Sequence, residues 1–437
     1  MENFRIESLE INKIGAFEHI KMDFPKKTDP EKAEIHILTG ENGTGKTTVL
    51  EVLVESFEIK SEQRKVNLYK KILSEDSNFI IKYKDFDDFK YTFEKDHFKT
   101  NKNTGNHGRL IDYLLSIDKN SNYSDFTNSN GNKVAFFAYS GYRRVSEVKV
   151  VGPKEIKDNP LKDALDFNKS INPENFIQWV INTVTRELNA KGRGDFEKAI
   201  IFKKFLNQLE VIISDIIDKP VCFDIDDDFN VLMIIDELLL DFDVLPDGLK
   251  SMISWIGDLL MRMDRIKWKD DLPIFDRNFI LFLDEIEVHL HPAWQRKILP
   301  VVQKLFKNAQ IFISTHSPFV VGSVDGAWVH KLKKDGAYAV LDGEPTLSSD
   351  GKTFVQILSD TFDITSLFGE QNERKILKFK EIKNLILSGQ DYDETEFNTL
   401  IDELSNESRA LENLIGLEIR QINKTLGINI LDTHATI

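Results

Sequence analysis

The sequence predicts an α/β fold: a mixed sheet flanked by helices, with a short helical insertion and a helical C-terminal tail. Three observations predict it. The apolar run at 35–38 leads directly into a glycine-rich loop at 40–47, and a helical pattern of Val49, Leu50, Val52, Leu53 and Phe57 follows. A fully apolar run at 279–283 ends in Asp284 and Glu285. A third apolar run, at 311–313, reaches Ser314, Thr315 and His316. Short apolar strands separated by helix-period segments are the pattern of an α/β sheet flanked by helices.

The remaining elements follow in order. Ile6, Leu9 and Ile11 precede a turn at Gly15, and Phe17, Ile20, Met22 and Phe24 follow it, which reads as two strands. Residues 77–99 hold two β-rich runs, around Phe79 and Tyr91, expected to pair antiparallel. Residues 120–132, rich in Asn, Ser and Asp, read as an exposed loop. A strand at 134–139 ends in Ser140, Gly141, Tyr142, Arg143 and Arg144. The stretch 160–217 is mainly helical: Asn172 caps a helix with Pro173 at its first position, Gly192 and Gly194 break it, and a second helix runs over 196–217. Strands return at 221–235, and helices are expected at 249–263 and 294–306. From 376 to 426 the chain is helical and charged, with Leu385, Leu400, Leu404, Leu411 and Leu414 on an apolar face that either packs on the rest of the chain or docks a partner. The expected division is therefore an N-terminal lobe at 1–159, a helical insertion at 160–220, a C-terminal lobe at 221–345 and a helical C-terminal region at 346–437.

Composition narrows the function. Hydrophobic residues at 41% and charged residues at 30% form an ordinary globular balance, so wholesale disorder is excluded. The single cysteine, Cys222, excludes an internal disulfide framework and a cysteine-rich zinc site, and suits a reducing compartment. No run of about 18 apolar residues exists, so no membrane span is expected. The first residues lack a basic stretch followed by an apolar one, and the expected location is cytoplasmic. A net charge of −15 argues against non-specific spreading over nucleic acid and leaves a local basic groove open.

Gly40-Glu41-Asn42-Gly43-Thr44-Gly45-Lys46-Thr47 fits G-x-x-x-x-G-K-[ST] at every fixed position, with the required strand before it and helix after it. Glycines let backbone N–H groups curl around phosphate oxygens, and the helix start near Lys46 adds its partial positive charge. Lys46 then reaches the β- and γ-phosphates of ATP, the Thr47 hydroxyl ligates Mg²⁺, and Thr48 completes the phosphate-binding run. Asp284 and Glu285 stand at the C-terminal end of a buried strand, where α/β sheets place ligands. Asp284 can hold Mg²⁺ and Glu285 can act as general base. An acidic strand end can also merely cap a following helix, and the phosphate loop upstream decides against that. His316, before Pro318, can hydrogen-bond a γ-phosphate, or can be an ordinary loop histidine. Glu287, His289 and His291 could suggest a metal, but no ligand cluster accompanies them, and an interface segment is the better reading. Asp247, Gly248 and Ser251 open an apolar helix whose N–H groups form an anion-binding end, or simply a capped turn.

Taken in this order, the phosphate loop, the Gly248–Ser251 helix start, the Leu283-Asp284-Glu285 strand and the Ser314-Thr315-His316 strand resemble the ABC-type ATPases of the SMC, RecF and OLD group. The motifs cover roughly 4–57 and 243–325. Within that group the compact core with its charged tail is most similar to ATPases of bacterial anti-phage systems, PtuA of Septu and retron-linked relatives. The resemblance implies an ABC-type P-loop ATPase head working as a homodimer, with ATP and Mg²⁺ sandwiched so that Asp247, Gly248 and Ser251 of one copy face Lys46 of the other. It also implies a separate effector partner, such as a nuclease. A Toprim nuclease within the chain is not expected, because the acids after Pro318 (Asp342, Glu344, Asp350, Asp360) lack the strand pattern. Pro246 stands where the group's signature has serine, so slow hydrolysis, or reliance on Ser251 and backbone groups, is expected. No clear glutamine occupies the usual loop after the phosphate loop, and Arg143 and Arg144 are candidate sensors of nucleotide or partner. Two other readings stand beside this one: a RecF-like DNA-repair ATPase with a basic groove, and a scaffold that holds ATP and barely hydrolyses it.

Overall fold

The computed structural model describes residues 3–57, 67–94, 97–100, 131–141, 150–167 and 173–427. Arg143, Arg144, Asn172 and most of the 120–132 stretch lie outside them. The described chain forms two compact units, Met1–Ile357 and Leu358–Ile437.

The first unit is built on a seven-stranded sheet. Its order is β14 (Tyr338–Leu341), β13 (Trp328–Asp335), β3 (Glu34–Gly40), β12 (Ala309–Ser314), β11 (Asn278–Leu283) and β7 (Val134–Tyr139), with β15 (Thr346–Leu347) also on β13. From β13 to β7 the strands are parallel, and β14 turns back antiparallel. Register sets what meets what: Leu283 pairs with Ile313 and with Tyr139, and Ser314 pairs with Leu38. Four strands therefore end at one level, and their C-terminal loops face the same edge. The strands β7, β11 and β12 are mostly apolar and buried, as strands covered on both faces tend to be, while β3 is buried but also carries Glu34, His36 and Thr39.

A second, antiparallel sheet runs β2 (Phe17–Asp23), β1 (Ile6–Ile14), β4 (Asn78–Tyr83), β5 (Phe89–Glu94) and β6 (His97–Thr100). Here hydrophobic residues alternate with polar ones, and Leu9, Ile11, Phe79 and Tyr91 turn inward to a core shared with Ile280, Phe282 and Phe312 of the first sheet. Helix α1 (Lys46–Glu55) lies between the two sheets, which is why nearly all of its side chains are buried rather than one stripe. The expected strand pair of 77–99 is thus joined by a third strand, β6.

The helical stretch resolves into α2 (Pro173–Gly192) and α3 (Phe196–Ile217), packed on each other and on α4 (Asp247–Arg265). A small antiparallel sheet of β8 (Val221–Ile225), β9 (Val231–Ile235) and β10 (Leu238–Asp241) follows α3. Helix α5 (Pro292–Leu305) connects β11 to β12 and packs against α3. Two short helices, α6 (Pro318–Val321) and α7 (Phe354–Phe362), complete this part of the chain, the second crossing the boundary between the units.

Beyond the end of α7, the described residues of the second unit form α8 (Glu370–Leu387), α9 (Glu394–Glu407) and α10 (Arg409–Leu426). Their core is Phe379, Ile382, Ile386, Phe397, Leu404, Leu411 and Ile415 among others. Leu400, Leu404 and Leu411 are buried in it, Leu414 packs half-exposed against it, and Leu385 is half-exposed. Asp393 and Ser408 cap α9 and α10 through side-chain bonds to Glu396 N at 3.0 Å and Leu411 N at 3.3 Å.

Candidate functional site

The site lies where β3, β11, β12 and β7 end. Gly45 has φ 89°, and a Cβ there would stand 2.4 Å from the Phe17 ring. Gly40 has φ 140°, and a Cβ would stand 2.1 Å from the Leu332 carbonyl oxygen. Both positions require glycine for conformation and for space. Thr44 Oγ1 donates to Glu41 O at 2.8 Å, closing the turn, while Glu41, Asn42 and Gly43 are exposed. Lys46 Nζ folds back over the loop and donates to the carbonyls of Gly40 and Glu41, both at 2.9 Å. Burial lowers the lysine pKa, and the acids Asp284, Glu285 and Glu287 act against that shift.

Thr47 and Asp284 meet: Thr47 Oγ1 donates to Asp284 Oδ1 at 3.0 Å and lies 3.1 Å from Oδ2. Ser314 Oγ, one strand over, donates to Asp284 Oδ1 at 2.5 Å and accepts from Glu285 N at 2.9 Å. Glu285 sits at φ 46°, a left-handed position for a non-glycine residue, and its Oε2 is 2.8 Å from where a Cβ on Gly141 would be. The end of β7 therefore supplies the floor under this carboxylate. Burial raises the Glu285 pKa first, then repulsion from Asp284 and Glu287, with His316 and Lys46 opposing. His316 is half-buried, and burial followed by the Lys46 charge lowers its pKa, while Glu285 and Asp284 oppose. Lys46, Asp284, Glu285 and His316 thus share one electrostatic neighbourhood.

Thr48 takes a different position. It is buried, and its hydroxyl accepts from Lys71 Nζ at 3.3 Å, with Lys71 also on Glu51 at 2.6 Å. At the start of α4, Asp247 is exposed and Gly248 is buried. A Cβ on Gly248 would stand 2.2 Å from His289 O, so this glycine serves a close approach within the chain. Ser251 is 1% exposed and its Oγ is buried without a hydrogen-bond partner. Pro246 is the helix cap and offers no side-chain bond. His291 Nδ1 accepts from Ala293 N at 3.2 Å and caps α5, and His289 is exposed.

Several contributors escape sequence reading. Glu287 accepts from Thr315 Oγ1 at 2.8 Å and from His316 N at 2.6 Å, which fixes the histidine loop. Gln295 accepts from Ser317 Oγ at 2.6 Å and donates to Leu290 O at 2.8 Å, tying that loop to α5. Lys334, on β13, lies with its Nζ 3.8 Å from the Cβ position of Gly43. Ser314 and Glu287 belong to the motif segments themselves, but sequence reading assigns Ser314 no role there and takes Glu287 only as part of an interface segment. Nothing near Gln295 or Lys334 in the sequence signals a site.

These residues fit a magnesium-bound triphosphate. Thr47 and Asp284 offer one hydroxyl and one carboxylate at a single point, the number of protein ligands Mg²⁺ uses when phosphates and water supply the rest. Among the described residues no group of three or more His, Cys, Asp and Glu side chains could hold a metal by itself. Likewise, no helix among them is long and apolar enough to cross a membrane.

Comparison with known proteins agrees with this arrangement. A family model described as "AAA domain" matches residues 4–71, and one described as "AAA domain, putative AbiEii toxin, Type IV TA system" matches 230–322. The chain is 31% identical over 144 residues to "Retron Ec83 probable ATPase" of Escherichia coli, covering 33% of this chain and 25% of the relative. It is 26% identical over 324 residues to "Septu protein PtuA" of Bacillus mycoides, covering 74% of this chain and 39% of the relative. The chain thus spans well under half the length of these two curated relatives. A solved SMC head bound to the C-winged helix domain of ScpA aligns at a TM-score of 0.45 and 10% identity, over 77% of this chain and 96% of that one. The phosphate loop lies within the first matched segment and the acid-ended strand within the second, and the chain is similar in sequence to proteins named for Septu and retron systems.

Proposed function

We propose that the chain binds ATP with Mg²⁺ at residues 40–48 and hydrolyses it, and that nucleotide-gated pairing of two copies controls a separate effector, such as a nuclease, in bacterial anti-phage defence. The observation that carries the reading is the contact of Thr47 with Asp284, with Glu285 and His316 beside Lys46. Backbone N–H groups of 40–48 and the Lys46 ammonium hold the phosphates. Magnesium, held by Thr47 and Asp284, offsets phosphate charge. Glu285 accepts a proton from the attacking water, and its raised pKa brings it nearer the range of an effective base. Glu287 holds His316 in position to bond the γ-phosphate. The defence role rests on the names of the relatives.

In the paired form, Asp247 and the N–H groups at Gly248 face the partner's nucleotide. Ser251 reaches it only after the start of α4 shifts, because its hydroxyl is buried as the helix stands. That burial, with Pro246 as the cap, favours a second reading: a nucleotide-held scaffold with slow turnover.

The test compares wild type, Lys46→Ala and Glu285→Gln by ATP binding, steady-state turnover and mass in solution. The expected result is that Lys46→Ala loses binding. Glu285→Gln keeps binding, loses about 100-fold or more in turnover, and accumulates as an ATP-dependent dimer. Equal turnover in wild type and Glu285→Gln selects the scaffold, and normal turnover in Lys46→Ala removes both readings.

A further inference from the structure

At the opposite end of the parallel strands from the phosphate loop lies a cavity of about 790 Å³. The first residues of β3, β7, β11 and β12 (Glu34, Val134, Asn278 and Ala309) form part of its wall. Eight lysine and arginine side chains line it against three carboxylates, in a chain whose net charge is −15. Each of those carboxylates already holds a cation. Glu34 is bonded to Arg5 at 2.8 Å, Asp276 to Lys307 at 3.0 Å, and Asp270 to Arg277. Basic side chains therefore outnumber acidic ones among the residues that line it.

Two features concentrate that excess. An isolated parallel bridge joins Asn132 to Trp268, with Asn132 N donating to Lys267 O at 2.9 Å and Lys269 N to Asn132 O at 3.1 Å. It holds Lys133 and Lys269 near each other on the cavity wall, and burial plus the Lys269 charge lowers the Lys133 pKa. Beside them Arg277, with a side chain 7% exposed, lies 4.8 Å over the Trp268 ring and against Asp270, yet its Nε is buried with no hydrogen-bond partner. Two ammonium groups are thus brought together in a concavity, next to a guanidinium whose Nε donor is unmet.

We propose that this cavity binds a phosphate ester of nucleotide size, either a free nucleotide or the 5′ end of a nucleic-acid strand. A phosphate monoester carries close to two charges and three acceptor oxygens, which suits two adjacent ammonium groups better than a single carboxylate does. The volume lies in the small-molecule range of roughly 300–1,000 Å³. Phe4, Leu272 and Val134 offer apolar wall for a base. The site is separate from the phosphate loop, at the other edge of the same sheet.

The test uses the full chain carrying Lys46→Ala, so that the phosphate loop contributes little. ATP, inorganic pyrophosphate and a 5′-phosphorylated tetranucleotide are titrated calorimetrically at low salt. The expected result is one site per chain for ATP or the tetranucleotide, whichever source the cavity serves. Affinity falls as salt rises, and falls about tenfold or more when Lys133→Glu and Lys269→Glu are combined. The milder Lys133→Gln and Lys269→Gln pair gives a smaller loss in the same direction, and neither pair changes turnover in the otherwise wild-type chain. The proposal is overturned if neither ATP nor the tetranucleotide binds, or if affinity is the same with and without the two lysines. Turnover by a chain whose cavity binds nothing removes this proposal alone. Cavity binding by a chain that never turns over ATP removes the ATPase reading alone.

Discussion

Thr47 Oγ1 donates to Asp284 Oδ1 at 3.0 Å across 237 residues of sequence, and Ser314 Oγ donates to the same oxygen at 2.5 Å. Parallel pairing of β11 with β12 brings the carboxylate and the serine together, and the phosphate loop supplies the threonine. Ser314 is therefore a positioning residue for Asp284. In Asp284→Asn the Mg²⁺ concentration giving half-maximal turnover rises about tenfold or more, and Ser314→Ala raises it in the same direction by a smaller factor. A magnesium titration of ATPase rate, with circular dichroism to verify folding, checks both.

Glu287 joins the acid-ended strand to the histidine loop through Thr315 and the His316 amide. Glu287→Ala leaves a buried hydroxyl and an amide without their acceptor, at a cost of about 1–3 kcal/mol. The expected outcome is a lower denaturant midpoint together with a larger fall in kcat than in ATP affinity. An unchanged kcat would remove the loop from the reaction.

Glu285 has a raised pKa, caused first by burial and then by Asp284 and Glu287. A base must be ionised, so turnover is full above the raised value and falls as pH drops through it, at higher pH than for an ordinary glutamate. In Glu287→Gln one repelling charge is gone, and the acid limb of the kcat/KM profile moves to lower pH. A limb that stays in place would assign the ionisation to another group.

His36 and His330, on neighbouring strands, stand 3.2 Å apart between Nδ1 and Nε2, with Glu34 and Arg5 as the charged groups around them. Burial lowers both pKa values, that of His330 well below 6.5. Both therefore fold as the neutral form. Their contribution is complete above the unfolded value of 6.5 and is lost as pH falls below it, at up to about 1.4 kcal/mol per pH unit for each histidine. His330→Phe is expected to show a shallower loss of Tm between neutral and mildly acidic pH, measured by thermal scans. An equally steep loss would place the acid sensitivity elsewhere.

A Cβ at Gly248 would stand 2.2 Å from the His289 carbonyl oxygen, so Gly248→Ala pushes the start of α4 off the loop that follows Glu285. The expected cost is about 1–3 kcal/mol, seen in the isolated chain as a lowered Tm. Asp247, exposed at the same helix start, has no such role. Asp247→Ala keeps the Tm and weakens only ATP-dependent pairing. Loss of stability in both, or in neither, would reverse this assignment.

The sequence by itself determined the strands that end at the site, the loop that curls there and the acids beside it. It could do so because each is a local pattern: a buried strand leaves a short run of apolar residues, a phosphate-wrapping loop must carry glycine where φ is positive, and Asp284 and Glu285 follow their strand directly. Tertiary structure alone decided which groups meet. Register placed Ser314 on Asp284 and Gly141 beneath Glu285, the turn after β11 set Glu287 on His316, and tertiary packing brought Gly248 against His289 and buried Ser251. It also gathered lysines from distant segments, among them Lys133 and Lys269, into one basic cavity on an acidic chain. Those outcomes depend on contacts between residues far apart in the chain, and no local period or spacing encodes a charge density that exists only after the strands have paired.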